Sequence, residues 1–335
     1  MSIDTADNRA GSGGLDRHRL RDLATGSVSS IAVTLVVVIG VGLSWIGPDF
    51  LSQSNLNIIG SFVAVPMLVA AFSSFALLAG VVDLSIGSMV GVSSCLTATL
   101  MTTAGWPLAA AVPVTLLTCL ALGAINATAV VIFGADTIAA TLGMLVALRG
   151  VCYLLAQPMG SITAFDTDFY TFTNLSAGPL PLLFVISIAI IAIAAAIVSR
   201  SRLGRHVQAV GGDDRAASRA GISVARVRFA ALLLSSLGAG IAGILYVGQL
   251  GSATNLTGTG LEFQVYAAMM IGGYSILRGG VGNPLGAALG LLVVAGTANI
   301  LDVQAVSPFY TNIIVGLLLL AAVLLDRLRG GDSYE

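Results

Sequence analysis

Apolar residues run along this chain in long unbroken blocks, separated by short polar or glycine-rich breaks. A helix needs roughly 20 apolar residues to cross a hydrocarbon core. Blocks near that length lie at 28–47, 56–80, 86–103, 107–133, 137–156, 180–198, 227–249, 262–277, 284–301 and 308–325. Stretches such as Leu182 to Val198 are continuously apolar, without the alternation a transmembrane barrel strand shows. The pattern predicts an all-α integral membrane protein, a polytopic bundle of about ten transmembrane helices. Glycine-rich turns join the second block to the third and the eighth to the ninth, so broken helices are admissible there.

Arginine placement orients the bundle. Arg9, Arg17, Arg19 and Arg21 precede the first block. Arg200, Arg202, Arg205, Arg215, Arg219, Arg226 and Arg228 follow the sixth, and Arg327 and Arg329 follow the last. Ten spans place all three groups, and Arg278, on one side, expected to be cytoplasmic with both termini. The opposite loops carry Asp49, Asp166, Asp168 and Asp302 and no Arg. The expected organisation is a cytoplasmic tail (1–27), a transmembrane domain (28–326) with a long cytoplasmic loop (199–228), and a second tail (327–335). Residues 1–27 are polar, so no cleavable signal peptide is expected at the start.

Composition agrees: 56% of residues are hydrophobic and 9% charged, against about 25% charged in a soluble domain. A net charge of −1 argues against nucleic acid as a partner. All fifteen basic residues are Arg. Without Lys the chain has neither the phosphate-binding lysine of a P-loop nor a Schiff-base amine. Any ATP-driven step therefore needs a motor on another polypeptide. Cys95, Cys119 and Cys152 lie within apolar blocks and read as packing residues, and His18 and His206 are the only histidines, too few for a metal cluster.

A charge at mid-bilayer costs on the order of 3 kcal/mol or more, so Asp83, Asp136, Arg149 and Glu262 require reasons. Two readings stand for Asp83: a cap on the following helix, or a role in the solute path or its gating. Arg149 reads as a snorkelling or helix-pairing residue, or as a solute contact. Glu262 opens the eighth block, where a helix N-terminus favours an acid. Ser85 lies beside Asp83, and Asn126, Thr141, Gln264, Tyr274, Asn299 and Asn312 put polar groups inside apolar blocks. Such groups bond helices together and equally suit a path for a hydroxyl-rich solute. Gly282, Gly286 and Gly290, followed by Gly296, form a close-packing stripe, and Gly238, Gly240 and Gly243 form another. In the loop, Gly211 and Gly212 predict a turn, Asp213 or Asp214 a cap, Arg215 to Ala220 a short helix, and Gly221 its left-handed end. A helix there suits a motor to push against; the alternative is an ordinary basic loop. The opposite loop at 157–179 is rich in aromatics, suited to the membrane interface or to an external docking partner.

Four segments in order resemble the permeases of ribose-, xylose-, arabinose- and galactose-type ABC importers: AGVVDLSIGSMVG (79–91), GAINATAVVIFGADTIAATLGMLVALRG (123–150), GRHVQAVGGDDRAASRAGI (204–222) and GSATNLTGTGLEFQVYAAMMIGG (251–273). The likeness covers the chain from about residue 50 onward. It implies an inner-membrane permease that passes a small sugar by alternating access. It implies a second permease copy or sister permease, a cytoplasmic ATPase subunit and an extracytoplasmic sugar-binding protein as partners, with membrane lipid around them. It implies no cofactor bound by this chain itself, with ATP and Mg held by the partner ATPase. Gly204, Arg205, Gly211, Gly212, Arg215, Ala216, Gly221 and Ile222 would form the ATPase-coupling loop. Asp83, Ser85, Asn126, Thr141, Arg149, Gln264, Tyr274 and Asn299 are the candidates for the pathway or its gating. The chain departs from the family at GGYSILRGGVGN (272–283), where Tyr274 stands for a small polar residue and the Arg is displaced to Arg278. Alternative cargoes are autoinducer-2, a nucleoside or a branched-chain amino acid. Rival classes are a proton-coupled secondary transporter, which would rest on Asp83, and a membrane-embedded enzyme, which the lack of His in any span disfavours.

Overall fold

The computed structural model describes residues 27–276, 278–307, 310, 313, 314, 316, 317, 320 and 324, with side chains from residue 34 onward. All of the expected tail at 1–27 but Ser27, the tail at 327–335, Asn312 and most of the block at 308–325 lie outside the described residues. The described chain forms helices α1 (Ser27–Trp45), α2 (Gln53–Leu78), α3 (Ile86–Thr102), α4 (Leu108–Val131), α5 (Thr137–Leu155), α6 (Thr167–Thr173), α7 (Leu182–Arg200), α8 (Arg202–Gly212), α9 (Asp214–Arg219), α10 (Val224–Leu250), α11 (Leu261–Ile271) and α12 (Pro284–Val303). A 3-10 turn, Gly47–Leu51, links the first two. Among the described residues α2, α4, α5, α7, α10 and α12 are long and apolar enough to cross a membrane, while Thr34–Trp45, α3 and α11 are shorter apolar helices. The chain is thus a helical membrane protein.

Two small ladders qualify the all-α expectation. Strand β1 (Ser161–Thr163) pairs antiparallel with β4 (Ser252–Thr254), Ser161 opposite Thr254. Strand β2 (Ser176–Ala177) pairs with β3 (Leu180–Pro181). They tie the 157–179 segment to the start of α7 and to the end of α10. Within that segment Asp166 caps α6 through the Phe169 N–H, and the Phe165 and Tyr170 rings lie 5.0 Å apart.

Helix α2 is the most buried long helix; α10 packs against α2, α3 and α4, and α12 against α11, α2 and α1. Both expected glycine stripes make these contacts. A Cβ at Gly238 would fall 2.3 Å from the Phe72 side chain, and one at Gly243 2.4 Å from the Val90 carbonyl. On α12, a Cβ at Gly290 would meet the Ala268 carbonyl at 1.9 Å and one at Gly286 the Gly272 carbonyl at 2.0 Å. At Gly243, Gly286 and Gly290 backbone therefore lies on backbone, as small residues allow.

The eighth apolar block is not one continuous helix. α11 stops at Ile271, about 16 Å long at 1.5 Å per residue, roughly half a 30 Å core. Gly272 sits against Gly286, Gly273 takes φ +89°, and the described residues from there to Asn283, which caps α12, form no helix. The second and third blocks separate likewise at 79–85, where Gly80 takes φ +75°. Both breaks were admissible from the glycines; the bond from Gly280 in the second to Leu78, the last residue of α2, comes from the fold.

Candidate functional site

The break at 79–85 carries Asp83 into the middle of the bundle, where it is fully buried. Its Oδ1 accepts from the Ser85 backbone N–H at 3.1 Å and from the Ser85 hydroxyl. Its Oδ2 accepts from Ser235 Oγ on α10 at 2.8 Å, and Ser235 Oγ lies 3.2 Å from Ser73 Oγ on α2. Asn126 on α4 points its amide at both Asp83 and Ser85, each at 3.4 Å. Tyr266 on α11 accepts from the Asp83 N–H at 2.8 Å and donates to the Asp83 carbonyl at 3.0 Å. Thr141 on α5 donates to the Val82 carbonyl at 3.2 Å. One carboxylate and its peptide thus join α2, α4, α5, α10 and α11 to the break ahead of α3. Of the two readings of Asp83, the local one takes this form: it holds the Ser85 N–H, while Ser85, the residue ahead of α3, makes no side-chain cap of its own.

Four of the pathway-or-gating candidates, Asp83, Ser85, Asn126 and Thr141, therefore meet in one network. Tyr266, Ser235 and Ser73 complete it and were not singled out from the sequence; the only signal was a phenol and two hydroxyls within apolar blocks. The other four lie apart. Asn299 forms a reciprocal amide pair with Asn55, at 2.9 and 2.8 Å, joining α12 to α2. Tyr274 is buried, donates to Ser74 Oγ at 2.8 Å and lays its ring where a Cβ on Gly282 would stand. Gln264 is half-buried outside the network. Arg149 donates to the Asn255 and Thr257 carbonyls at 3.1 and 2.9 Å, linking α5 to the segment before α11.

The loop at 199–228 folds into α8 and α9. Ser201 caps α8 through the Gly204 N–H, and Gly204 lets α8 turn tightly against the end of α7, since a Cβ there would stand 2.2 Å from the Val198 carbonyl. Val207 and Val210 are buried, while Arg202, Arg205 and His206 are exposed, so α8 lies on the bundle end by its apolar face. Asp213 caps α9 through the Ala216 N–H at 2.9 Å. That bond holds the Asp213 carboxyl below its ordinary value. Gly221 (φ +82°) and Ile222 close the helix: their N–H groups donate to the Ser218 and Ala217 carbonyls, the Schellman pattern. Arg215 and Ala216 are exposed on this surface.

The expectation of a turn at Gly211 and Gly212 is corrected: both are the last residues of α8. Gly211 serves close approach instead. A Cβ there would stand 1.9 Å from the Leu78 carbonyl and 2.5 Å from the Gly280 nitrogen, and Gly280 itself donates to the Leu78 carbonyl at 2.9 Å. Arg228 adds a bond to the Ala79 carbonyl and an ion pair to Asp214, both 3.3 Å. The end of α8 is therefore seated backbone to backbone on the end of α2, five residues before Asp83.

The family described as branched-chain amino acid transport system / permease component matches residues 56–323. Among individual relatives, the D-allose transport system permease protein of Escherichia coli K12 is 32% identical, covering 88% of this chain and 90% of its own. The ribose import permease protein of Haemophilus influenzae is 29% identical over 89% of this chain and 92% of its own. The autoinducer 2 import system permease protein of Escherichia coli O9:H4 is 32% identical over 89% and 86%. No solved structure matches the chain.

Proposed function

The chain belongs to the family of branched-chain amino acid transport system permease components, and from that premise we propose that it is the membrane permease of an ABC importer carrying a small sugar across the inner membrane. The cargo follows the D-allose and ribose permeases among its relatives. Autoinducer-2 is the second reading, favoured by a relative of equal identity. In this reading ten spans place the termini and α8–α9 on the cytoplasmic side. The chain hydrolyses nothing itself: a separate ATPase subunit binds ATP and Mg, a binding protein delivers the solute outside, and two permeases pair.

The observation that carries the mechanism is the seat of Gly211 on Leu78 and Gly280. A motor moving α8 and α9 pushes on the end of α2 through backbone contacts that have no slack. The displacement reaches Asp83 within five residues and from there the helices bonded to it. We assign Gly204, Arg205, Gly211, Gly212, Arg215, Ala216, Gly221 and Ile222 to the coupling element, and the Asp83 network to gating, as the joint about which the spans rock. Interiors packed this closely move between discrete arrangements rather than deforming smoothly.

The test is co-purification of the chain with its ATPase subunit, native and Gly212→Trp. Gly212 is exposed and a Cβ there meets nothing within 4 Å, so Trp starts clear of the bundle and adds bulk to the docking face, and an unchanged melting temperature of the variant in detergent is the control for folding. Stable association lost in the variant supports the assignment. A native chain that takes up solute without any ATPase would overturn it. Competition of labelled ribose or D-allose uptake against autoinducer-2 separates the two cargoes.

A further inference from the structure

Between Thr254 and Leu261 the chain runs without helix alongside α3. The Thr254 carbonyl accepts from Cys95 Sγ at 3.4 Å, while Gly258 lies against the Gly87 carbonyl and Val90. Cys95 and Gly87 are eight residues apart, so the segment descends about 12 Å along α3. Two tight turns pair part of its backbone, Thr257 N to the Thr254 carbonyl and Thr259 N to the Leu256 carbonyl, both 3.0 Å, and Asn255 N donates to the Gly160 carbonyl at 3.0 Å. Leu256 and Thr259 are exposed, and Asn255, Thr257, Gly258 and Gly260 half-buried. Irregular backbone at membrane depth persists only inside protein or facing a water-filled path. In the importer reading, on which this inference rests, these half-exposed residues face the path.

Two charged side chains flank the segment, each given room by a glycine of α3. A Cβ at Gly91 would stand 3.3 Å from Arg149 Nη1 and 2.7 Å from the Thr257 carbonyl. One turn away, a Cβ at Gly87 would clash with Glu262 Oε2 and stand 2.5 Å from the Gly258 carbonyl. Glu262 is 4% exposed and its Oε2 has no hydrogen-bond partner. The acid expected merely to suit a helix N-terminus is thus a buried carboxyl oxygen left unpaired under the segment. The structure gives no ion pair between Arg149 and Glu262, whose α3 contacts lie about 6 Å apart along the helix. Burying one unpaired carboxyl oxygen is costly, and a guanidinium one turn away is the group that would satisfy it.

We propose that residues 254–258 are the outer gate, closed here by Arg149 on the Asn255 and Thr257 carbonyls, and that on opening Arg149 exchanges these carbonyls for Glu262. The exchange gives the open gate a charge-assisted pair in place of the two closed-state bonds. Both arrangements are then held by the same guanidinium, as a two-position gate requires.

The first test needs no transport. Val90 is fully buried beneath Gly258, and Val90→Cys reports the gate through its reaction with a small charged methanethiosulfonate, each variant being blanked by the same chain with Val90 kept, because Cys95 and Cys152 are free thiols beside the gate. Adding Arg149→Ala should speed labelling at least about tenfold, from the loss of two charge-assisted bonds, with Arg149→Lys in between. Unchanged labelling would overturn the clamp. The second test uses the complex with its ATPase and binding protein. Glu262→Gln keeps the volume and the closed gate, so Val90→Cys stays slow while uptake falls roughly tenfold, and Glu262→Asp restores part of it. Native uptake in Glu262→Gln would overturn the exchange. Failure of the native chain to bind any ATPase would strike the importer reading and leave the labelling result standing.

Discussion

Replacing Gly211 by Ala adds one methyl group where α8 meets the end of α2, and its consequences can be worked out against the neighbouring glycine. The new Cβ would stand 1.9 Å from the Leu78 carbonyl and 2.5 Å from the Gly280 nitrogen, both backbone atoms that cannot rotate away. To reach ordinary contact, α8 must lift by more than an ångström, which also stretches the 2.9 Å bond from Gly280 to Leu78. Overpacking costs typically about 1–3 kcal/mol and the lost hydrogen bond about 1. Ala returns up to ~1 kcal/mol through its helix propensity. The net is roughly 1–3 kcal/mol against the seat. At Gly212 a Cβ meets nothing within 4 Å, so Gly212→Ala keeps only the propensity gain. The adjacent variants therefore have opposite signs. Hydrogen–deuterium exchange over 202–219 should be about a hundredfold faster in Gly211→Ala than in Gly212→Ala. The ATPase should still bind Gly211→Ala, but solute uptake per ATP should fall. Equal exchange and equal coupling in the two variants would refute the claim that α8 transmits through Gly211.

Other residues give independent checks. Asp83→Asn presents an amide N–H₂ where Ser85 or Ser235 now donates, so thermal stability in detergent should fall by about 1–3 kcal/mol. Adding Ser235→Ala to Asp83→Asn should cost much less than it does alone, and simple additivity would show that the two do not act as one network. Asn299→Ala strands the buried Asn55 Oδ1, while its amide nitrogen keeps the Phe50 carbonyl, at about 1–3 kcal/mol, whereas Asn55→Ala with Asn299→Ala together should recover part of that loss. For Asp213 the sign follows from its lowered carboxyl: the cap contributes above the unfolded value and is lost as pH falls through the folded one. Amide protection of Ala216 should therefore drop on acidification in the native chain and be absent at every pH in Asp213→Ala, while Asp213→Ser should keep it without the pH dependence.

Hydrophobic continuity alone determined the class of this protein and the position of most of its helices, because apolar length is a local property that a bilayer reads directly. The short helix after Asp213 was legible for a similar reason: its cap, its length and its glycine stop each act within a few residues, and the structure has all three. The glycine stripes announced close packing but not their partners. Whether Gly211 turned the chain or admitted a neighbour could not be read locally, since both uses of glycine leave the same letter; Leu78 and Gly280, far away in sequence, decide it. The polar residues within the apolar blocks carried the same ambiguity. Asp83, Ser85, Asn126 and Thr141 meet in one network while Gln264, Asn299 and Tyr274 do not, because a hydrogen bond is satisfied by whatever helix rotation and depth bring within about 3 Å. Tyr266 and Ser235 carry little signal in the sequence, since a phenol and a hydroxyl cost little in an apolar helix until their partner is a buried carboxylate. Glu262 shows the limit most plainly. Its sequence position, at a helix start, accounts for its charge. That its oxygen is covered and unpaired depends on Gly87 and Gly258 closing over it, which only the packed chain decides.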